Sequence, residues 1–230
     1  YGDRSFDAVA RELEWEKIDV EPFEIRKEAV PASCDALFVV SPQRPFSEDE
    51  VAVVERYLLS GGNVLLALDP VLKDRAFSAT GFEAALEARG ILVGRDLVIE
   101  KDTDQQLPGN AGDLFLAANL GTHPLVDGVR KRGGGFLIVV ARSVDVAEGS
   151  DTEVLFRTSP KAVAETNLQK AIGTNDDDST TPPRAVPLAV AWEYVPPLGD
   201  DVKPVESDGP EPGRLLVVGD SDWMSSELLD

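Results

Sequence analysis

Four short apolar runs set the pattern of the chain: Ala36–Val40, Val64–Leu68, Phe136–Ala141 and Leu215–Val218. Each gives way to a polar turn or a chain reversal, at Ser41-Pro42, Asp69-Pro70, Arg142 and Gly219-Asp220-Ser221-Asp222. Such runs, rich in Val and Leu, are too short to span a membrane and too uniformly apolar for a half-exposed antiparallel strand. They suit strands covered on both faces. Helical patterns lie between several of them. The alternation predicts an α/β fold, with a largely parallel central sheet flanked by helices. All four runs are expected in one sheet. Their carboxyl ends then share an edge, where ligands of such sheets sit, and that edge gathers Ser41, Asp69 and Asp220.

The remaining pattern fills in around these runs. Phe6, Val9, Ala10 and Leu13 recur at i, i+3, i+4 and i+7 and predict a first helix. Ile18–Ile25 alternates apolar and polar residues, and Pro22 within it predicts an edge strand. Ser47-Glu48-Asp49-Glu50 is a capping box ahead of Val51, Val54 and Leu58, and Gly61-Gly62 stops that helix. With the strands on either side, this is a right-handed strand–helix–strand crossover. Thr80-Gly81-Phe82-Glu83 predicts a further helix start, and Ile91–Val93 and Leu97–Ile99 short strands. Residues 102–122 read as a Gly-rich loop with one short helix. Glu153–Thr158 and Leu188–Tyr194 alternate as strands do. The polar segments 173–184 and 196–213 predict flexible surface loops. There is no internal repeat, and the whole of 1–230 is expected to be a single domain.

Composition narrows the function. The 230 residues are 43% hydrophobic, enough for a substantial core. The single cysteine, Cys34, excludes an intrachain disulfide and a multi-Cys zinc site. A net charge of −20, from 42 acidic and 22 basic residues, excludes a nucleic-acid binder. Arg130-Lys131-Arg132 is the largest basic cluster. No stretch is long and apolar enough to span a membrane. The sequence opens on Tyr1 rather than methionine and reads as the soluble portion of a longer protein.

Candidate chemistry is sparse. Gly219-Asp220-Ser221 invites comparison with a hydrolase nucleophile, but the one histidine, His123, lies in Thr122-His123-Pro124, and no Gly-x-Ser-x-Gly elbow is present. Cys34 precedes a strand, whereas a nucleophile elbow follows one. His123-Pro124 is expected to begin a helix or turn, away from Cys34 and Ser221. There is no P-loop and no dinucleotide fingerprint. Asp176-Asp177-Asp178 lacks EF-hand spacing. The aspartates after the strands are ordinary turn and cap residues, so no metal and no cofactor is predicted. The candidate binding edge comprises Ser41, Asp69, Asp220, Ser221, Asp222 and Trp223.

Several blocks, taken in order, resemble one known family. They are Asp35–Pro42, Pro45–Glu50, Tyr57-Leu58, Gly61–Pro70, His123-Pro124, Ala141-Arg142-Ser143, Leu155–Ser159, Pro187–Ala191 and Val217–Trp223. The set resembles the auxiliary component of ABC-type transport systems, a family that includes the gliding-motility-associated ABC transporter protein. The resemblance implies a class I glutamine amidotransferase-like, flavodoxin-like domain without catalytic residues. It implies a membrane-tethered protein on the periplasmic or extracytoplasmic face of the inner membrane, working beside an ABC permease and ATPase, alone or as an oligomer. A eukaryotic intraflagellar transport protein carries a related domain, which favours an assembly role. The alternatives are a module binding a small extracytoplasmic solute or glycan, and an amidotransferase-like hydrolase. For an accessory domain, the expected contact surface is the Ile18–Ile25 edge or the carboxyl-edge turns near Phe46 and Trp223.

Overall fold

The computed structural model describes residues 5–25, 29–73, 76–109, 112–167, 181–194 and 212–226. In chain order the elements begin with α1 (Asp7–Trp15), β1 (Ala36–Val40), α2 (Glu48–Leu59), β2 (Asn63–Ala67), β3 (Leu72–Lys73) and β4 (Ala76–Phe77). Next come α3 (Glu83–Glu87), β5 (Ile91–Val93), β6 (Leu97–Ile99), β7 (Leu114–Ala117), β8 (Asn119–Leu120), α4 (Pro124–Lys131) and β9 (Phe136–Val139). The chain continues through β10 (Val144–Val146), β11 (Glu153–Arg157), β12 (Val163–Glu165), β13 (Pro187–Tyr194) and β14 (Gly213–Val218), then a 3-10 turn at Asp222–Met224.

A six-stranded sheet in the order β1-β2-β14-β13-β11-β8 organises the molecule. β1, β2 and β14 run parallel, in the register Val40↔Ala67↔Val218. β13, β11 and β8 then join antiparallel. The sheet is therefore mixed, where the sequence pattern predicted a largely parallel one. The alternating segments Glu153–Thr158 and Leu188–Tyr194 supply its antiparallel half.

Three of the four apolar runs lie in this sheet, and the fourth does not. β9 pairs antiparallel with β7 in a separate two-stranded ladder. Phe115 and Ile138 of that ladder pack in one core with Leu65, Ala67 and Ala189 of the main sheet. The ladder buries Phe115, Ala117 and Ile138 against the sheet and leaves Leu116 40% exposed. The apolar run reported a covered face, and that coverage did not identify the sheet.

Two further expectations are corrected. Ile18–Ile25 forms no strand: Lys17, at φ +69°, turns the chain after α1, and the segment enters no ladder, leaving Ile18, Val20 and Phe23 exposed. Residues 102–122 hold β7 and β8 among the described residues and no helix, because Leu114–Ala117 pairs with β9. Of the predicted loops, 173–180 and 196–211, and with them Asp176-Asp177-Asp178, lie outside the described residues. Arg184, at the end of the first, is held by a two-pronged ion pair to Asp145 at 2.8 and 2.6 Å.

The sheet separates two apolar cores. On one face Leu37, Val39, Leu66, Val190 and Val217 meet Val51, Val54 and Leu58 of α2. The predicted capping box starts that helix: Glu50 N–H donates to Ser47 Oγ at 3.3 Å and Ser47 N–H to Glu50 Oε2 at 2.8 Å. Gly61, at φ +100°, ends it. On the other face the β7–β9 ladder, Val126 of α4 and Met224 close over the carboxyl-terminal half of the sheet. Phe6 and Val9 pack against this core, as the first-helix pattern predicted. The chain's two flanks meet there: Ser226 N–H donates to Ser5 O at 2.9 Å, and Ala8 N–H to Ser226 Oγ at 3.0 Å.

Candidate functional site

The register of the parallel strands brings the predicted carboxyl-edge residues together. Ser41 N–H donates to Ala67 O at 2.9 Å, and Leu68 N–H to Val218 O at 2.8 Å. The residues after each strand therefore emerge side by side. Asp69 is the hub. Its carboxylate accepts from Ser41 Oγ at 2.5 Å, from Ser221 N–H at 2.6 Å and from Ser221 Oγ at 2.8 Å. Gln43 Nε2 donates to Ser41 Oγ at 2.9 Å. Asp220 turns the other way: Oδ2 accepts from Val139 N–H at 2.7 Å and Oδ1 from Asp222 N–H at 2.8 Å. It thereby stitches the main sheet to β9. Trp223 Nε1 donates to Asp220 O at 3.0 Å.

Ser41, Asp69, Asp220, Ser221 and Asp222 are all buried, and Trp223 is half-buried. Burial pushes the Asp220 carboxyl up to about 8, with the charges of Asp222 and Asp69 adding to the shift and the two backbone N–H donors opposing it. Among the described residues no set of three His, Cys, Asp or Glu side chains converges as metal ligands.

Sequence reasoning missed the cation beneath this edge. Arg142 is 1% exposed. Its backbone N–H donates to Gly219 O at 2.9 Å, but its three guanidinium nitrogens have no hydrogen-bond partner among the described residues. Burial lowers its pKa, while the charges of Asp96, Glu83 and Asp69 resist that shift. Asp96 itself accepts Ser143 N–H and Oγ at 2.9 and 2.7 Å. The backbone is unusual at the same place: Ser41 has φ +47° and Val140 φ +58°, a conformation that costs a β-branched residue most. Glu100, fully buried and accepting from Ser159 and Asp102, was also missed. An ionic residue bordering a short strand gives no sequence signal that distinguishes burial from exposure.

The structure does not assemble the candidate catalytic residues. His123 caps α4, its Nδ1 accepting from Leu125 N–H at 3.2 Å, as the His123-Pro124 pattern predicted. The Cys34 thiol donates to Ala36 O at 3.3 Å, and Ser221 donates to Asp69. Phe46 is half-buried against Phe82, with ring centroids 4.8 Å apart.

A second feature lies at the opposite, amino-terminal half of the sheet. There the face not covered by α2 opens into an apolar groove of about 570 Å³. Phe38, Leu65, Ala191 and Leu216 form its floor, and His123 and Leu125 of the α4 start form one wall. Phe38 is 47% exposed and Leu125 60%. Glu153, Glu193 and Arg214 also line the groove. Arg214 Nε lies 3.2 Å from Glu193 Oε1, whereas Glu153 makes no ion pair among the described residues.

A solved structure of the mmIFT52 N-terminal domain shares the fold, with a TM-score of 0.65 at 16% identity, covering 100% of this chain and 85% of that one. No curated protein matches the sequence. The family model described as ABC-type uncharacterized transport system matches residues 4–230, so the chain belongs to this family of transport-system auxiliary proteins.

Proposed function

We propose that the protein is a non-enzymatic accessory or scaffold component of an ABC-type transport system, of the kind associated with gliding motility. In this reading 1–230 is one domain, built on an amidotransferase-like frame without its catalytic residues. Membrane helices outside these residues tether it on the extracytoplasmic face of the inner membrane, beside the permease and ATPase. One observation supports the absence of catalysis: Cys34, Ser221 and His123 each make a different hydrogen bond, none of them to another of the three. Ser221 and Ser41 donate to Asp69, His123 caps a helix, and the Cys34 thiol bonds a backbone carbonyl. A hydrolase of this ancestry needs its nucleophile and base within hydrogen-bond reach.

The test is co-purification of the full-length protein from its own membranes, paired with ester and amide hydrolysis assays. The expected result is recovery of permease or ATPase subunits, with no turnover that Cys34→Ala, Ser221→Ala or His123→Ala abolishes. Turnover lost in one of those variants, or tight binding of a small solute with no transport subunit recovered, would overturn the reading.

A further inference from the structure

We propose that the apolar groove over the amino-terminal half of the sheet is the docking site for a basic amphipathic helix of a partner protein. The inference rests on the accessory reading and gives it a surface. Parallel strands are ordinarily covered by helices on both faces. Among the described residues α2 covers one face of β1, β2 and β14. On the other, the β7–β9 ladder covers the carboxyl-terminal half and leaves Phe38 and Leu125 facing solvent across about 570 Å³. Large exposed apolar side chains around a concave floor mark an interaction site rather than ordinary surface.

Charge selects the occupant. The chain carries −20. A second copy would bring a like charge against it, and an anionic lipid surface would be repelled in the same way. At the groove itself Arg214 is paired with Glu193, and Glu153 is left without an ion-pair partner among the described residues. A helix with an apolar stripe for Phe38, Leu65 and Leu216, flanked by Lys or Arg for Glu153, satisfies both requirements. The carboxyl edge is less suited to docking, because its polar groups are buried and bonded to one another.

The experiment places a photoreactive benzoylphenylalanine at Leu125 of the full-length protein in its native membranes. The same group at Leu92, which is 40% exposed on β5, serves as control. The expected result is a crosslink, mapped by mass spectrometry, to a helical segment of a partner subunit with an apolar stripe and Lys or Arg beside it. Phe38→Glu and Glu153→Lys are each expected to cut the yield at least tenfold. Phe38 is half exposed, so the Glu variant should fold, as its unfolding midpoint will show. A crosslink to the chain itself, to a second copy or to lipid, or one no stronger than at Leu92, overturns the inference. If the permease still co-purifies in that case, the accessory reading stands without this groove. A mapped basic helix from a protein unrelated to transport would support the groove and sink the accessory reading.

Discussion

Asp69 carries more of the carboxyl edge than any other side chain there. It receives three hydrogen bonds from two strand ends. Asp69→Ala leaves the buried Ser221 N–H without that acceptor, so a loss of roughly 3 kcal/mol is expected in urea unfolding. Asp220 makes the stability depend on pH. An unfolded aspartate titrates near about 3.9, whereas burial holds this one at about 8. Between those values the folded state keeps a proton that the unfolded state has released. The contribution is therefore full below about pH 4 and is lost as pH rises through about 8. The urea midpoint of the wild type is expected to fall from pH 5 to pH 8.5, and that of Asp220→Asn to fall less. The convergence of Ser41, Asp69 and Asp220 was legible in the sequence, since residues after parallel strands must emerge at one edge. Arg142 was not, because what packs around it is distant in sequence: Gly219 O accepts its N–H, and the charges of Asp96 and Glu83 act on its guanidinium.

Among the elements, α2 was readable to the residue, because its start and stop are both local chemistry. Ser47→Ala removes the side-chain acceptor of the capping box and should cost about 1 kcal/mol. The turn into α3 is set by tertiary contact instead. Phe46 N–H donates to Thr80 O at 2.9 Å, and Gly81, at φ +92°, lies against the Phe46 backbone where a Cβ has no room. Gly81→Ala should cost more than about 1 kcal/mol, read as a lower thermal midpoint. The β7–β9 ladder shows where pattern reading stops. Phe136–Val139 was recognised as a buried strand, but its partner Leu114–Ala117 lies across α4 in sequence and reads as loop. Ile18–Ile25 failed for the reverse reason: it has a strand's alternation and no neighbouring strand to pair with.

For the whole molecule, the charge of −20 means that folding gathers like charges into a smaller volume. Raising salt from about 10 to 150 mM shortens the reach of that repulsion. The thermal midpoint is therefore expected to rise with salt, since the exposed ion pairs that salt weakens are each worth about 1 kcal/mol or less. The strand order also carries a kinetic consequence. β14 is the last strand of the described residues, yet it lies between β2 and β13, near the middle of the sheet. Until Gly213–Val218 has been synthesised, the earlier strands can form only two fragments, β1–β2 and β13–β11–β8, with no shared ladder between them. Ser226 then has to arrive before it can bond Ser5 and Ala8. Such long-range closure is slow and leaves apolar strand edges open meanwhile. Nascent chains arrested before Gly213 are expected to be cut readily by protease, and chains extended well past Ser226 to resist it. A break in the chain just ahead of Gly213 would therefore undo more of the sheet than one beyond an edge strand, because it removes the piece that joins the two halves.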